Sequence, residues 1–462
     1  MSRTTSQERG ASTARKIALD ALLDVRAGSH AEQALSSKLV YARSLSPPDR
    51  GLATELVYGV LRWQTRLDAV IGRCSHHPLN KIKRGVIDLL RMAVYQLLLL
   101  DRIPDHAAVD QSVAEARARF GKKTAGFVNA LLRRVVRDGR KLDPRPGTDA
   151  RSLSDYFSHP LWLVKSWLRQ LGPDECRRVL ELNNSRPPVV VRVNGIKTDA
   201  QRLRIDWEEE GLGATPLENM PHALQLAKIG RPVELLPGFD EGLFVVQDCA
   251  SQMVAPLLGI EPGDRVLDAC AAPGGKTAHL AALASNDARI IAVDKDPVRL
   301  EETRINLSRL GVTCVELECA DSSEANILNR LGLFDRVLVD PPCSGLGVLR
   351  HNPETKYKIR PTDPARFAEQ QSKLLTATSE SLAPGGTLVY SVCTVTEEET
   401  TGVVNRFLRE NKDFELVPLN PTEAVSGSFV RNPGILTTFP SPTEYSLDGF
   451  FAAKMRRKSR GT

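Results

Sequence analysis

The chain has 462 residues, 42% of them apolar, and a formal net charge of +6; this is enough material for two or three domains with proper cores and excludes a disordered or fibrous protein. The charge is uneven: residues 1–150 carry 26 Lys and Arg against 15 Asp and Glu, and the remainder 36 against 41. A basic first third fits a module that attracts a phosphate backbone, although any single run such as Arg133-Arg134 equally suits a solvated helix face.

In chain order, residues 1–13 are rich in Ser, Thr and Arg with no apolar stretch, which predicts a flexible tail and no secretory signal. Residues 14–145 read as an all-helical domain, because apolar residues recur at helical spacing, as in Leu52, Leu56, Val60 and Val86, Leu90, Val94, without strand alternation. The longest apolar run, Met92 to Leu100, falls far short of the ~20 residues of a membrane span and predicts a buried helix; no membrane partner is expected. Gly139 to Ala150, rich in Pro, Gly and charge, reads as a linker. Residues 151–242, with Trp162, Trp167 and the strand-like Val189 to Asn194, predict a small α/β connecting subdomain. In residues 243–455 helices and strands alternate as in a mostly parallel, three-layer α/β domain. The basic run Arg456 to Arg460 reads as a frayed terminus.

The chemistry concentrates in that last domain. In Asp264 to Thr277 a short apolar strand runs into a Gly274-Gly275 turn and an Ala/Leu-rich helix, the strand, loop and helix of a nucleotide-type site. Gly275-Lys276-Thr277 invites a P-loop reading, but that motif needs a further glycine where Cys270 stands. Three more strand-like runs end in Asp294, Asp321 and Asp340, so carboxylates line one sheet edge, where open α/β sheets bind ligands. Any one of them alone would pass as a cap or turn former. Two cysteines follow apolar strands, Cys343 in Asp340-Pro341-Pro342-Cys343-Ser344-Gly345 and Cys393 in Ser391-Val392-Cys393-Thr394, which suggests covalent chemistry; buried structural thiols are the other reading. The eight cysteines show no Cys-x-x-Cys pair, so no metal is expected, and reduced thiols predict a cytoplasmic protein.

Ala269 to Thr277, Asp340 to Gly345 and Ser391 to Thr394, in this order, resemble the S-adenosylmethionine-dependent RNA cytosine-5 methyltransferases. Glu55 to Arg62 and Lys123 to Arg133 resemble the NusB-type helical domain that precedes the catalytic domain in that family, and Asp448 to Ala453 its closing segment. The resemblance implies a Rossmann-like class I methyltransferase domain behind a NusB-like RNA-binding domain, S-adenosylmethionine as cofactor and 16S ribosomal RNA as partner, with a monomer expected. It makes Cys393 the nucleophile and Cys343 the residue that assists adduct release; DNA cytosine methyltransferases use a Pro-Cys nucleophile, so reversed roles stay open. It assigns Cys270, Ala271, Ala272, Pro273, Gly274, Gly275 and Lys276 to the methionine part of the cofactor, Asp294 to the ribose, Asp321 to the adenine side and Asp340 to ligand contact. The chain departs at Lys356-Tyr357, where relatives often carry Lys-Trp.

The chemistry explains the residue types. Carbon 5 of cytosine is a poor nucleophile until a thiolate adds at carbon 6, and a free thiol near pKa ~8.5 is little ionised at neutral pH. A sulfonium or Lys276 nearby would help, although Lys276 equally suits pairing with a strand-end carboxylate. The base must be extruded, and Tyr357, Phe367 and Phe450 are possible stacking partners or core residues. Two rivals remain: the same chemistry on another RNA such as transfer RNA, and a non-catalytic RNA-binding factor, against which the intact cysteines and Gly274-Gly275 argue.

Overall fold

A computed structural model describes residues 4–42, 45–227, 232–419, 430–440 and 447–459. The chain divides into two compact units, Met1–Ser185 with Leu349–Lys358, and Arg186–Val348 with Ile359–Thr462.

The first unit is helical: α1 (Thr4–Ala27), α2 (Ala31–Tyr41), α3 (Pro47–Cys74), α4 (Arg84–Leu99), α5 (Asp105–Phe120), α6 (Lys122–Leu142), α7 (Ala150–Phe157), α8 (Leu161–Leu171) and α9 (Pro173–Asn183). Sequence punctuation sets the ends. Ser46 accepts from the Asp49 N–H with prolines opening α3, and Asp149 caps α7 through the Arg151 and Ser152 N–H groups. The apolar run ending at Leu100 falls almost wholly in α4, whose residues Val86 to Leu97 are buried. In α6 the buried positions Ala125, Val128, Leu131, Leu132, Val135 and Gly139 lie on one face, which turns Arg133, Arg137, Arg140 and Lys141 to solvent. The helix α1 takes in residues 4–13, read from sequence as a tail; residues 1–3 lie outside the described residues.

The segment Leu349–Lys358 belongs to this helical unit although it comes from far along the chain. Glu354 accepts from the Ala31 N–H at 3.0 Å, and the buried Lys356 donates to the Arg62 carbonyl at 2.8 Å and Asn184 Oδ1 at 2.9 Å. Burial presses the Lys356 pKa well below its ordinary value, with the Arg62 charge adding to the effect. Tyr357 donates to the Ser158 carbonyl at 3.2 Å. Lys356 and Tyr357 thus serve the packing of the helical unit, for Tyr357 the core role that the sequence left open.

The second unit begins with β1 (Val190–Val193), α10 (Ala200–Glu209), β2 (Ala214–Leu217), β3 (Met220–Leu226) and β4 (Phe244–Val246), an antiparallel sheet in the order β2-β3-β1-β4. Trp207 and Phe244 fill its core edge to face, with the Trp207 indole N–H donating to the Pro237 carbonyl at 2.9 Å. The chain continues through α11 (Cys249–Gln252), α12 (Val254–Leu257), β5 (Arg265–Ala269), α13 (Gly275–Leu283), β6 (Arg289–Asp294), α14 (Pro297–Leu310), β7 (Val315–Cys319), α15 (Ala325–Leu331) and β8 (Phe334–Val339). After α16 (Thr355–Lys358), which lies in the helical unit, come α17 (Asp363–Glu380), β9 (Leu382–Val392), α18 (Thr401–Glu410), β10 (Phe414–Leu416), β11 (Val430–Asn432), β12 (Ile435–Thr438) and β13 (Phe450–Arg457).

The large sheet is parallel across β7-β6-β5-β8-β9 and is extended by antiparallel β13, β12 and β11, with β10 also pairing to β13. The central strands β5, β6 and β8 are nearly continuous apolar runs because both of their faces are covered, which is the usual state of a parallel sheet. Helix α14 shows the local logic: Asp296 caps it through the Val298 and Arg299 N–H groups, Pro297 opens it, Leu300, Thr303, Leu307 and Leu310 bury one face, and Gly311 at φ +72° ends it. Arg456 and Arg457, read from sequence as a frayed end, are strand residues: Arg456 pairs with Thr387 and Glu415, and Arg457 donates to the Leu382 carbonyl at 2.6 Å. Arg460 lies outside the described residues. Strand order reverses between β5 and β8, which puts the ligand-binding crevice beyond their carboxyl ends.

Candidate active site

The loop after β5 is built around an unusual backbone. Cys270 takes φ +63°, Gly274 takes φ +87°, and the Gly274 N–H bonds the Ala271 carbonyl at 2.8 Å before α13 begins. A Cβ on Gly274 would lie 2.6 Å from Thr303 Cγ2, so only glycine fits. Asp294 at the end of β6 holds this loop, accepting from the Ala272 N–H at 3.1 Å and the Asp296 N–H at 3.0 Å, while Arg299 donates to the Ala272 carbonyl at 2.5 Å.

A cavity of about 260 Å³ opens beside the loop, lined by Val246, Gln247, Asp248, Ser251 and Asp268 together with Cys270 to Pro273, Gly275, Lys276 and Asp340. Of the residues expected from sequence, Gly274 and Asp294 support this loop from behind. Asp321 stands after β7, where one oxygen accepts from the Ser323 N–H and hydroxyl, and these bonds lower its pKa. Lys276 donates to Asp340 Oδ2 at 2.6 Å, and the Ser391 hydroxyl donates to Asp340 Oδ1 at 2.9 Å. Lys276 therefore partners a strand-end carboxylate, one of its two expected roles, and lies close enough to Cys393 for the two to interact; burial is the largest influence on its pKa and lowers it, but Asp340 and then Cys393 raise it above its ordinary value.

Asp268, a wall of the cavity, was not singled out from sequence. It is buried; its Oδ2 accepts from the Thr277 hydroxyl at 2.6 Å and its Oδ1 has no partner among the described residues. Burial lifts its carboxyl to about 7, opposed by the Thr277 bond and reinforced by Asp340. An unpaired carboxylate oxygen in a cavity wall suits a ligand carrying an ammonium group, and the amides that open α13 suit a carboxylate.

This pKa predicts a measurable pH effect. The folded value lies above the unfolded value near 3.9, so folding takes up a proton between about pH 4 and 7. The stability this group contributes is fully present below about pH 4 and is lost as pH rises through 7. Asp268→Asn is expected to remove on the order of 2–4 kcal/mol of that decline. Urea unfolding of the ligand-free variant and wild type from pH 4 to 8 measures it; identical slopes would exclude Asp268 as the source.

At the neighbouring strand ends, β8 leads to Cys343 and β9 to Cys393, whose sulfurs lie 3.3 Å apart. The Cys343 thiol is held well above its ordinary pKa, first by its hydrogen bond with Cys393, then by burial and by the Coulomb fields of Cys393 and Glu399. Below them the fully buried Glu399 accepts from the Ser344 N–H at 2.8 Å and its hydroxyl at 2.5 Å, from Thr396 at 2.9 Å and from Gln371 at 3.1 Å. Among the aromatic candidates, Phe450 is buried with its ring 5.3 Å from Lys276 Nζ, and Phe367 is half-buried under Arg366.

A parallel sheet of this order, closed by an antiparallel strand, with a glycine loop after its first strand and an acid after its second, defines a Rossmann-like methyltransferase. Family models match residues 255–456 as 16S rRNA methyltransferase RsmB/F, residues 12–137 as the NusB family, and residues 159–234 as the ferredoxin-like domain of RsmF/B-like methyltransferases. The ribosomal RNA small subunit methyltransferase B of Escherichia coli (strain SMS-3-5) is 36% identical, over 90% of this chain and 92% of that one. The chain belongs to the RsmB/F methyltransferase family. Among solved structures, that of PH0851 shares the fold with a TM-score of 0.83 at 24% identity, over 96% of this chain and 99% of that one. NSun6 from Pyrococcus horikoshii with SFG has a TM-score of 0.57 at 23% identity, over 65% of this chain and 99% of that one. Among the described residues no helix is long and apolar enough to cross a membrane.

Proposed function

We propose that this enzyme methylates carbon 5 of a cytosine in small-subunit ribosomal RNA, with S-adenosylmethionine as methyl donor and a covalent adduct between Cys393 and carbon 6 of the base. The observation that carries the reading is the pair of sulfurs 3.3 Å apart at the carboxyl ends of β8 and β9, beside the glycine-loop cavity. Structural thiols need neither this pairing nor this position.

The cavity fits the proposed donor. The free Asp268 oxygen accepts from the ammonium of its methionine part, and the amides opening α13 receive the carboxylate. Bound there, S-adenosylmethionine supplies an electrophilic sulfonium methyl group. A neighbour of the same fold is named with SFG, an analogue of that donor, which favours the assignment.

The chain's own residues then act in sequence. The Cys393 thiolate adds to carbon 6 and the electron pair moves to carbon 5, which would then take the methyl group as the bond from that methyl to the sulfonium sulfur breaks, its electron pair leaving a neutral thioether. Asp340, fixed between Lys276 and Ser391, lies on the cavity wall where a base edge or the donor would meet it. The proton on carbon 5 then leaves to a base, the bond from carbon 6 to sulfur breaks, and Cys343 gives its hydrogen bond to the departing Cys393 thiolate. The named activity of the curated relative supports ribosomal RNA over transfer RNA, and the basic outer face of α6 suits a phosphate backbone.

Incubation with tritiated S-adenosylmethionine and 16S RNA from a strain lacking the corresponding gene tests the proposal. The expected product is 5-methylcytosine in that RNA after nuclease digestion. Label in transfer RNA alone, or on a different base atom, overturns the substrate or the chemistry respectively.

A further inference from the structure

We infer that Glu399 is a positioning residue that holds the Cys343 and Cys393 loops in register with each other; the inference rests on the covalent reading of the two cysteines given above. Glu399 itself touches neither sulfur. It sits just before α18, fully buried, and its partners come from both cysteine loops and from α17. One oxygen accepts from the Ser344 N–H at 2.8 Å and the Gln371 amide at 3.1 Å. The other accepts from the hydroxyls of Ser344 at 2.5 Å, Thr396 at 2.9 Å and Thr394 at 3.3 Å.

Ser344 directly follows Cys343, and Thr394 directly follows Cys393. A single side chain therefore binds the residue next to each sulfur, and the two hydroxyls also meet each other at 2.8 Å. The carboxylate has no cationic partner among the described residues, so its negative charge is met only by neutral donors. A buried charge without a counter-ion costs stability, and an apolar residue of the same volume would remove that cost. What the carboxylate adds is two acceptor oxygens facing donors on both sides, which no neutral side chain supplies. A glutamine would turn an NH₂ group toward either the Ser344 N–H and the Gln371 amide or the three hydroxyls. The outer wall of the clamp is rigid as well: the Tyr390 hydroxyl, on β9, donates to the Glu399 carbonyl at 2.7 Å and lies 3.0 Å from Gln371 Oε1.

The reaction asks both sulfurs to work at one base ring in succession, so their mutual placement matters to within an ångström. Misplacing a reacting group by about 1 Å costs on the order of a hundredfold in rate. The cofactor cavity draws its walls from other residues, so cofactor affinity is independent of Glu399.

The test uses the full chain and reads the sulfur geometry directly. Diamide oxidises two adjacent thiols to a disulfide, taking up their two electrons and two protons to become the hydrazine, and the rate depends on how readily the sulfurs close from 3.3 Å to about 2.05 Å. Peptide mapping of the Cys343–Cys393 cross-link follows that rate. In Glu399→Gln the cross-link is expected to form at least tenfold more slowly, with single-turnover methyl transfer about a hundredfold slower and the dissociation constant for S-adenosylmethionine unchanged. Cross-linking and transfer at wild-type rates would overturn the inference; a parallel loss of cofactor binding marks general unfolding and passes the decision to a second variant. Should Glu399→Gln not fold, Ser344→Ala removes one donor from the clamp and is expected to slow both rates severalfold; wild-type rates in that variant would also overturn it. If the wild type methylates no RNA, the covalent reading fails, while the cross-linking rate still decides whether Glu399 sets the sulfur geometry.

Discussion

Cys393→Ala protein is expected to transfer no methyl group to RNA, a loss of at least about 10⁴-fold, whereas Cys343→Ala protein is expected to form a protein–RNA band that survives denaturing electrophoresis. The asymmetry follows from the pair's hydrogen bond. The contact with Cys393 and burial both push the Cys343 thiol up, which disfavours Cys343 as the attacking thiolate in the proposed reaction. Removing Cys393 removes the bond to carbon 6 on which every later step depends. Removing Cys343 leaves attack possible but takes away the hydrogen bond that receives the departing thiolate, so adduct accumulates. A band trapped by Cys393→Ala and absent from Cys343→Ala would reverse the two roles.

Gly274→Ala is expected to weaken binding of S-adenosylmethionine at least a hundredfold and to destabilise the second unit by about 2–4 kcal/mol. Two separate costs add. The φ of +87° strains any residue with a Cβ, and that Cβ would stand 2.6 Å from Thr303 Cγ2 on α14. They can be separated because Thr303→Ser deletes the offending methyl group. The double variant should recover the steric share and keep the strain, a coupling of about 1–2 kcal/mol readable from urea unfolding of the four proteins and from isothermal titration with the cofactor. Additive effects would mean that α14 moves aside and that strain alone is responsible.

Much of the architecture was legible because single physical signals carried it. The β5, β6 and β8 runs are apolar since both faces are covered, and the helical period of residues 14–139 reflects one buried face per helix. The glycine turn at 274 was legible because a positive φ demands it. Other residues left no local trace. Asp268 stands inside an apolar strand, where nothing in the sequence says which way its carboxylate points. Glu399 is the third of three consecutive glutamates, and its burial is decided by Ser344, 55 residues away. Lys356 belongs to a residue type that is almost always exposed, and only the acceptors Arg62 and Asn184 explain its place. The helices α7 to α9, read with the strands that follow them, fall in the first compact unit, while the ferredoxin-like family match over residues 159–234 takes α8 and α9 together with those strands.

The ten residues Leu349–Lys358 also set a timetable. A ribosome delivers the whole of Met1–Ser185 long before it delivers Glu354 and Lys356, because residues 186–348 must be made in between. At 5–20 residues per second that interval is roughly 8–30 s. During it the nascent helical bundle holds the Ala31 N–H, the Arg62 carbonyl and Asn184 Oδ1 without the partners that Glu354 and Lys356 give them in the finished protein. The amino-terminal domain is thus synthesised first and completed late, and its last ten residues are made only after β5 to β8 have left the ribosome's catalytic centre.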